Sequence, residues 1–166
     1  WRHVPSPVAG EDIVLVCAPK SDPVYAIKLG GTGTLNDDSV AWVSRDVRAV
    51  TSDVPTPTLY DGDFFVLSDV KKFLSRVEPR TGDVKWSVRT PGDPKIEASP
   101  LAADGKIYTL NFRGEVTIFN AADGSIVNTI AMDPGGANPV RSSFVAAHGQ
   151  LFLRTNNKLI CVDKKK

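Results

Sequence analysis

The sequence predicts an all-β chain: a β-propeller segment of about four blades, each a four-stranded antiparallel sheet. Three observations predict it. A block recurs, with Ser99-Pro100-Leu101-Ala102-Ala103-Asp104-Gly105-Lys106-Ile107-Tyr108 matched by Thr56-Pro57-Thr58-Leu59-Tyr60-Asp61-Gly62-Asp63-Phe64-Phe65, by Ser143–Phe152 and by Ser6–Val14. Its aligned positions, 7, 57, 100 and 144, stand 50, 43 and 44 residues apart. A period of about 40–50 residues made of short strands and tight turns is the mark of a propeller. The 13 glycines and 12 prolines punctuate the chain so often that no 3.6-residue apolar pattern runs beyond two turns, which leaves no room for an α-helix.

The repeats are expected at about 4–45, 54–89, 96–130 and 140–163. In the first, the inner strand holds Pro7 and Val8, the third strand covers 24–29 and the outer strand 39–44. The Gly-rich stretch from Gly30 to Asp38 between them is an insertion that accounts for the 50-residue step. The second repeat reads as strands over 54–60, 63–68, 73–78 and 83–88. The third reads as 96–102, 106–111, 115–120 and 125–130, with turns at Asp104-Gly105, Phe112-Arg113-Gly114 and Asp123-Gly124. Period-two alternation bounded by such turns is the hairpin signal. The fourth gives 140–147, 150–155 and 158–163 and lacks its outer strand. Trp1 stands where it would close the outer strand of a preceding repeat. The chain starts without an initiator Met, which reads as a processed, trimmed or partial chain.

An open row of blades exposes unpaired strand edges and apolar flanks. The expectation is therefore a piece of a larger, seven- or eight-bladed ring, completed by a second propeller half or by a homodimer. Self-closure of four blades is the competing arrangement.

Composition excludes several classes. Twenty basic and 19 acidic residues give a formal net charge of +1, with no electrostatic case for nucleic acid. No apolar run approaches a membrane span of about 20 residues. Lys164-Lys165-Lys166 reads as a solvated end. Cys17 and Cys161 read as two small buried hydrophobes.

The second repeat contains Glu78-Pro79-Arg80-Thr81-Gly82-Asp83-Val84-Lys85-Trp86. This resembles the tryptophan-docking motif Ala-x-Asp-x-x-Thr-Gly-x-x-x-Trp of quinoprotein-like (PQQ-like repeat) propellers. Thr81, Gly82 and Trp86 match, whereas Arg76 and Glu78 stand at the usual Ala and Asp. Trp42 fills the corresponding strand of the first repeat, Asn128 that of the third, and Trp1 fits as the remnant of an earlier one. The resemblance is to the bacterial "PQQ-binding-like repeat" proteins, a superfamily that includes the scaffold lipoprotein of the β-barrel assembly machine. It implies a structural docking role for Thr81, Gly82 and Trp86, and a periplasmic or extracellular location.

Chemistry is sparse. Asp61-Gly62-Asp63, Asn36-Asp37-Asp38 and Asp104-Gly105 put acids in turns, where turn formation explains them. There is no Cys-Cys pair, no haem attachment motif and no nucleophile elbow around a Ser, and His3 and His148 lie at a strand start and a turn. Glu97 and Arg141, three residues before their aligned positions, are expected side by side on adjacent inner strands. One residue before each aligned position stands Ser6, Thr56, Ser99 or Ser143. Phe112 and Arg113 form an aromatic–Arg pair at a turn tip. Glu97, Arg141, Phe112 and Arg113 are thus the candidates for a channel-mouth or interface site, with no catalytic, cofactor or metal residue assigned. The expected function is a non-catalytic scaffold for protein–protein interaction in the bacterial cell envelope. Two alternatives stay open: a fragment of a PQQ-dependent dehydrogenase, with PQQ and calcium as cofactors, and a propeller that binds a carbohydrate or small ligand.

Overall fold

The structure, a computed structural model, describes residues 4–18, 22–47, 49–133 and 138–163; Trp1, His3 and Lys164–Lys166 lie outside them. Fifteen strands form four separate antiparallel sheets. Blade 1 is Val8–Ala9 (β1), Ile13–Cys17 (β2), Val24–Lys28 (β3) and Val40–Val43 (β4). Blade 2 is Thr58–Tyr60 (β5), Asp63–Ser68 (β6), Phe73–Val77 (β7) and Val84–Arg89 (β8). Blade 3 is Leu101–Ala103 (β9), Lys106–Leu110 (β10), Glu115–Asn120 (β11) and Ile126–Ala131 (β12). Blade 4 is Val145–Ala147 (β13), Gln150–Arg154 (β14) and Leu159–Val162 (β15). The molecule is an all-β propeller segment. Its blades stand in a row with β1, β5, β9 and β13 side by side, and the row is not closed into a ring.

The repeat is literal in the register. Val8 faces Leu15, Thr58 faces Phe65, Leu101 faces Tyr108, and Val145 faces Phe152. A bulge interrupts the third and outer strands at the same place each time, so that Ala26 faces Trp42, Arg76 faces Trp86 and Ile118 faces Asn128. Alternation then sends one side of each sheet to the blade before and the other to the blade after. Three apolar layers result. Leu15, Val24, Phe64 and Val66 fill the space between blades 1 and 2; Phe65, Leu67, Ile107 and Phe119 that between blades 2 and 3; Leu110, Val116, Phe144 and Leu153 that between blades 3 and 4.

A second device joins the blades near the axis. The Ser6 N–H donates to Thr56 Oγ1 (3.0 Å), the Thr56 N–H to Ser99 Oγ (2.9 Å) and the Ser99 N–H to Ser143 Oγ (3.0 Å). The aligned hydroxyls are a blade-to-blade ladder, rather than caps on their own strands. Each one satisfies an amide that the short inner strands leave unpaired.

Three expectations need correction. The inner strands are shorter than the sequence predicts, starting at Thr58, Leu101 and Val145 rather than 54, 96 and 140, because the Pro, Ser and Thr residues before them follow the ladder. A short 3-10 turn, Asp37–Ser39, precedes β4. Cys17 is buried, but Cys161 is exposed, on the side of blade 4 turned away from blade 3; both are free thiols.

Candidate functional site

The loop before β9, the turn between β10 and β11 and the segment before β13 meet at one end of the blades. The Phe112 N–H donates to the Lys95 carbonyl (2.8 Å), and the Phe112 carbonyl accepts from the Val140 N–H (2.9 Å). This places the turn against its own entry loop and that of the next blade. Gly114 closes the turn with φ +74°, where a side chain would press on Asp133. The Asn111 amide bonds Glu115 (2.6 Å), and its oxygen accepts from the Arg113 N–H (3.0 Å), fixing the turn from inside.

Around Phe112 the charges converge. Glu97 accepts from Lys95 Nζ at 2.7 Å and from Arg141 Nη1 at 3.0 Å. The Arg141 guanidinium lies 5.0 Å from the Phe112 ring centroid and Lys95 Nζ lies 6.0 Å from it, within cation–π range. Glu97 is mostly covered, whereas Lys95 and Arg141 are more than half exposed. Arg113 is exposed beside them, and Phe112 is half-buried. The structure thus gathers Glu97, Arg141, Phe112 and Arg113 at one surface. It does so through loops, since Glu97 and Arg141 precede their strands, and not through strand alternation as the sequence argument had it. Lys95 was missed; its two-residue spacing from Glu97 was the available signal.

In blade 2 the position equivalent to Phe112 is Asp69. One carboxylate oxygen accepts from the Asp53 N–H (3.0 Å), while Oδ2 is buried without a hydrogen-bond partner. Burial raises the pKa of Asp69, with the nearby Lys95 charge opposing. Burial, with help from the Asp69 charge, pushes the Cys17 thiol up to about 12.

Thr81, Gly82 and Trp86 occupy the blade interfaces. Thr81 is held by Glu78 and Asp83, and Gly82 turns at φ +78° beneath Trp42 of the preceding blade. Trp42 Nε1 donates to the Pro79 carbonyl (2.7 Å). Trp86 sits in turn on Gly124 of blade 3 and donates to the Ala121 carbonyl (3.2 Å). Trp42 and Trp86 each dock on the next blade's turn, covering an apolar seam with the ring while the N–H is satisfied.

Recurring antiparallel blades, the first two fastened by an indole lying on the next blade's Gly turn, define a PQQ-like β-propeller. The profile of the family described as "Outer membrane protein assembly factor BamB" matches residues 2–166, and the chain belongs to that family. No curated protein matches the sequence. Among solved structures, BamB from Moraxella catarrhalis superposes with a TM-score of 0.68 at 12% identity, covering 95% of this chain and 44% of that one. The computationally designed Ika4 protein gives 0.71 at 10% identity, with 98% and 93% covered. Quinohemoprotein alcohol dehydrogenase from Comamonas testosteroni gives 0.69 at 16% identity, with 92% and 29% covered. At such identities the likeness is one of fold. The chain spans less than half the length of the Moraxella protein.

Among the described residues, no three His, Cys, Asp or Glu side chains converge on a cation position, and Glu97 is taken up by two cations. Among the described residues, the donor set does not fit a calcium-bound quinone.

Proposed function

We propose that this chain is a non-catalytic scaffold segment of a larger propeller in the bacterial cell envelope, periplasmic or extracellular. In this reading the Phe112 surface docks a protein partner. The observation that carries it is the half-buried Phe112 ring clamped by Lys95 and Arg141, with exposed Arg113 alongside. Aromatic and Arg side chains of this kind anchor protein interfaces. Two cations sharing the Glu97 carboxylate, with exposed Arg113 on the same turn as Phe112, favour a partner segment bearing acidic side chains. The family's description as an assembly factor supports a protein, rather than a metabolite, as the ligand.

The reading is tested in the full-length protein with a photo-crosslinking residue at position 113 and, as control, at Lys85 on the outer rim. Crosslinking to a defined envelope protein from 113 and not from 85, lost with Phe112→Ala and Arg141→Ala, is the expected result. Equal crosslinking at both positions, or dye reduction after loading with PQQ and Ca²⁺, would overturn it.

The scaffold also has a face for further blades. Val145, Phe152, Leu159 and Cys161 hold the repeat positions of Leu101, Tyr108, Val116 and Ile118, which blade 4 covers in blade 3. Leu159 is 74% exposed. A second propeller half, whether a homodimer mate or more of a longer chain, would cover this face and receive the Ser143 N–H on its own hydroxyl. Native mass spectrometry of the 166-residue chain gives a dimer if two copies complete a ring of eight blades; a monomer leaves the longer chain as the source.

A further inference from the structure

The three blade interfaces are built to one plan but are not equally filled. Between blades 2 and 3, Tyr60 stands at the end of its inner strand, its ring 6.4 Å from that of Phe65, and its hydroxyl accepts from the Gly105 N–H of the next blade (2.9 Å). That phenol plugs the seam at the end of the blades opposite Phe112. In the equivalent place, blade 1 has Gly10 and blade 3 has Ala103. Where the tyrosine is missing, a cavity opens: about 370 Å³ between blades 1 and 2, and about 440 Å³ between blades 3 and 4. The two differ in chemistry. The first is ringed by Glu11, Asp12, Glu78 and Arg80, with an Arg80–Asp12 ion pair of 2.8 Å along it. The second has Ala103, Tyr108, Ala146, Leu151 and Val162 on its walls, with Gly149 and the polar Asp104, His148, Gln150 and Asp163 also lining it.

The second cavity retains each group that receives Tyr60 one interface earlier. Tyr108 replaces Phe65 as the aromatic wall, and Gly149 replaces Gly105 as the donor. The Gly149 N–H has no acceptor among the described residues. We propose that the cavity between blades 3 and 4 is a binding site for a tyrosine side chain of a partner polypeptide. The ring lies against Tyr108 and the hydroxyl accepts from the Gly149 N–H, as Tyr60 does on Gly105. The site lies at the other end of the blades from the Phe112 surface and stands or falls separately from it.

The test titrates N-acetyl-L-tyrosinamide into the chain and follows the Gly149 amide and Leu151 methyl signals by NMR. A saturating shift with a dissociation constant on the order of millimolar is expected for one side chain in a shallow site. N-acetyl-L-phenylalaninamide, which lacks the acceptor, should bind about five-fold more weakly. Ala103→Tyr should fill the cavity from within, raise the thermal midpoint and abolish binding; Ala103→Phe, should the first variant not fold, abolishes it too. Absence of a saturating shift at Gly149, or undiminished binding to a folded Ala103 variant, would overturn the proposal. So would tight binding of p-cresol with exclusion of the tyrosinamide, which would mark a small phenol rather than a polypeptide as the ligand.

Discussion

Gly124→Ala tests the tryptophan-docking geometry directly, because the cost divides into two parts that can be separated. Gly124 has φ +74°, and a Cβ built there would lie 2.8 Å from Trp86 Cε3 and 2.9 Å from Cδ2. Gly105 has φ +69° with nothing within 4 Å of the same atom. Left-handed backbone costs a non-glycine residue about 1 kcal/mol, and that is the whole expected loss for Gly105→Ala. At Gly124 the indole must also be displaced, and overpacking of this kind adds about 2 kcal/mol, for about 3 kcal/mol in all. In a Trp86→Val background the indole is gone and only Val88 Cγ1, 3.1 Å from that Cβ, stays close, so Gly124→Ala should cost between about 1 and 2 kcal/mol. Trp86→Val leaves no orphan, since the Ala121 carbonyl keeps its bond from Arg76 Nη1 (3.1 Å). Urea denaturation followed by circular dichroism, on the four members of the cycle and the Gly105 control, measures each term. Distant sites add to within about 0.5 kcal/mol. If Gly124→Ala costs the same with and without Trp86 to that precision, the indole is not what the glycine makes room for.

Asp69 gives a pH dependence of defined sign. Its folded pKa is raised above the ordinary value, so the folded state binds the proton more tightly, and stability falls as pH rises from the ordinary carboxylate range through the raised value. Asp69→Asn, whose amide oxygen can still accept from Asp53, should be more stable than the parent at neutral pH and no more stable near pH 3; denaturant midpoints across that range decide it. The buried Cys17 thiol, with its pKa near 12, should not react with a disulfide reagent in the native state. The exposed Cys161 should react, giving one thiol per native chain and two after unfolding. Ser99→Ala removes the acceptor of the Thr56 N–H and should cost about 1 kcal/mol, with faster exchange of the Thr56 amide. Ser99→Thr should restore both, since blade 2 already uses Thr at that rung.

The blade plan was legible because propeller turns demand particular residues at fixed spacing. Asp61-Gly62 and Asp104-Gly105 carry positive φ at both positions, and only a few residue types tolerate that. Thr81, Gly82 and Trp86 were readable for the same reason. Trp86 nonetheless docks on Gly124, not on its own turn, because docking is a relation between blades that no single repeat contains. The pairing of Glu97 with Arg141 could be inferred from repeat alignment alone. The burial of Asp69 could not, because it depends on how loops of unequal length fold over this end of the blades. Asp63 looked like a turn acid. It is almost fully buried and held by Arg76 Nε at 2.5 Å and Lys85 Nζ at 2.7 Å, partners 13 and 22 residues away that a turn motif does not announce.

Those partners show how near-identical blades are kept in order. At the bulge facing the docking position the three interfaces carry Ala26, Arg76 and Ile118. Only the second is cationic, and only blade 2 supplies the buried Asp63 that neutralises it. Arg76 also spans the seam to the Ala121 carbonyl and lies 5.6 Å from the Phe65 centroid. A blade packed out of sequence against Ala26 or Ile118 would meet no charge. Blade 2 with another neighbour would still need a carbonyl in Arg76's reach and room for Trp86. The Arg76–Asp63 pair lies within blade 2, so what ties this cation to its proper neighbour is the bond across the seam to the Ala121 carbonyl. The unequal filling of the seams follows the same logic. Tyr60, Gly10 and Ala103 make each interface distinct, and the seam left open between blades 3 and 4 has an aromatic and aliphatic wall, Tyr108, Leu151 and Val162, beside the Gly149 amide. The variation that makes the blade interfaces distinct thus also creates the opening with an aromatic wall that is proposed as a binding site.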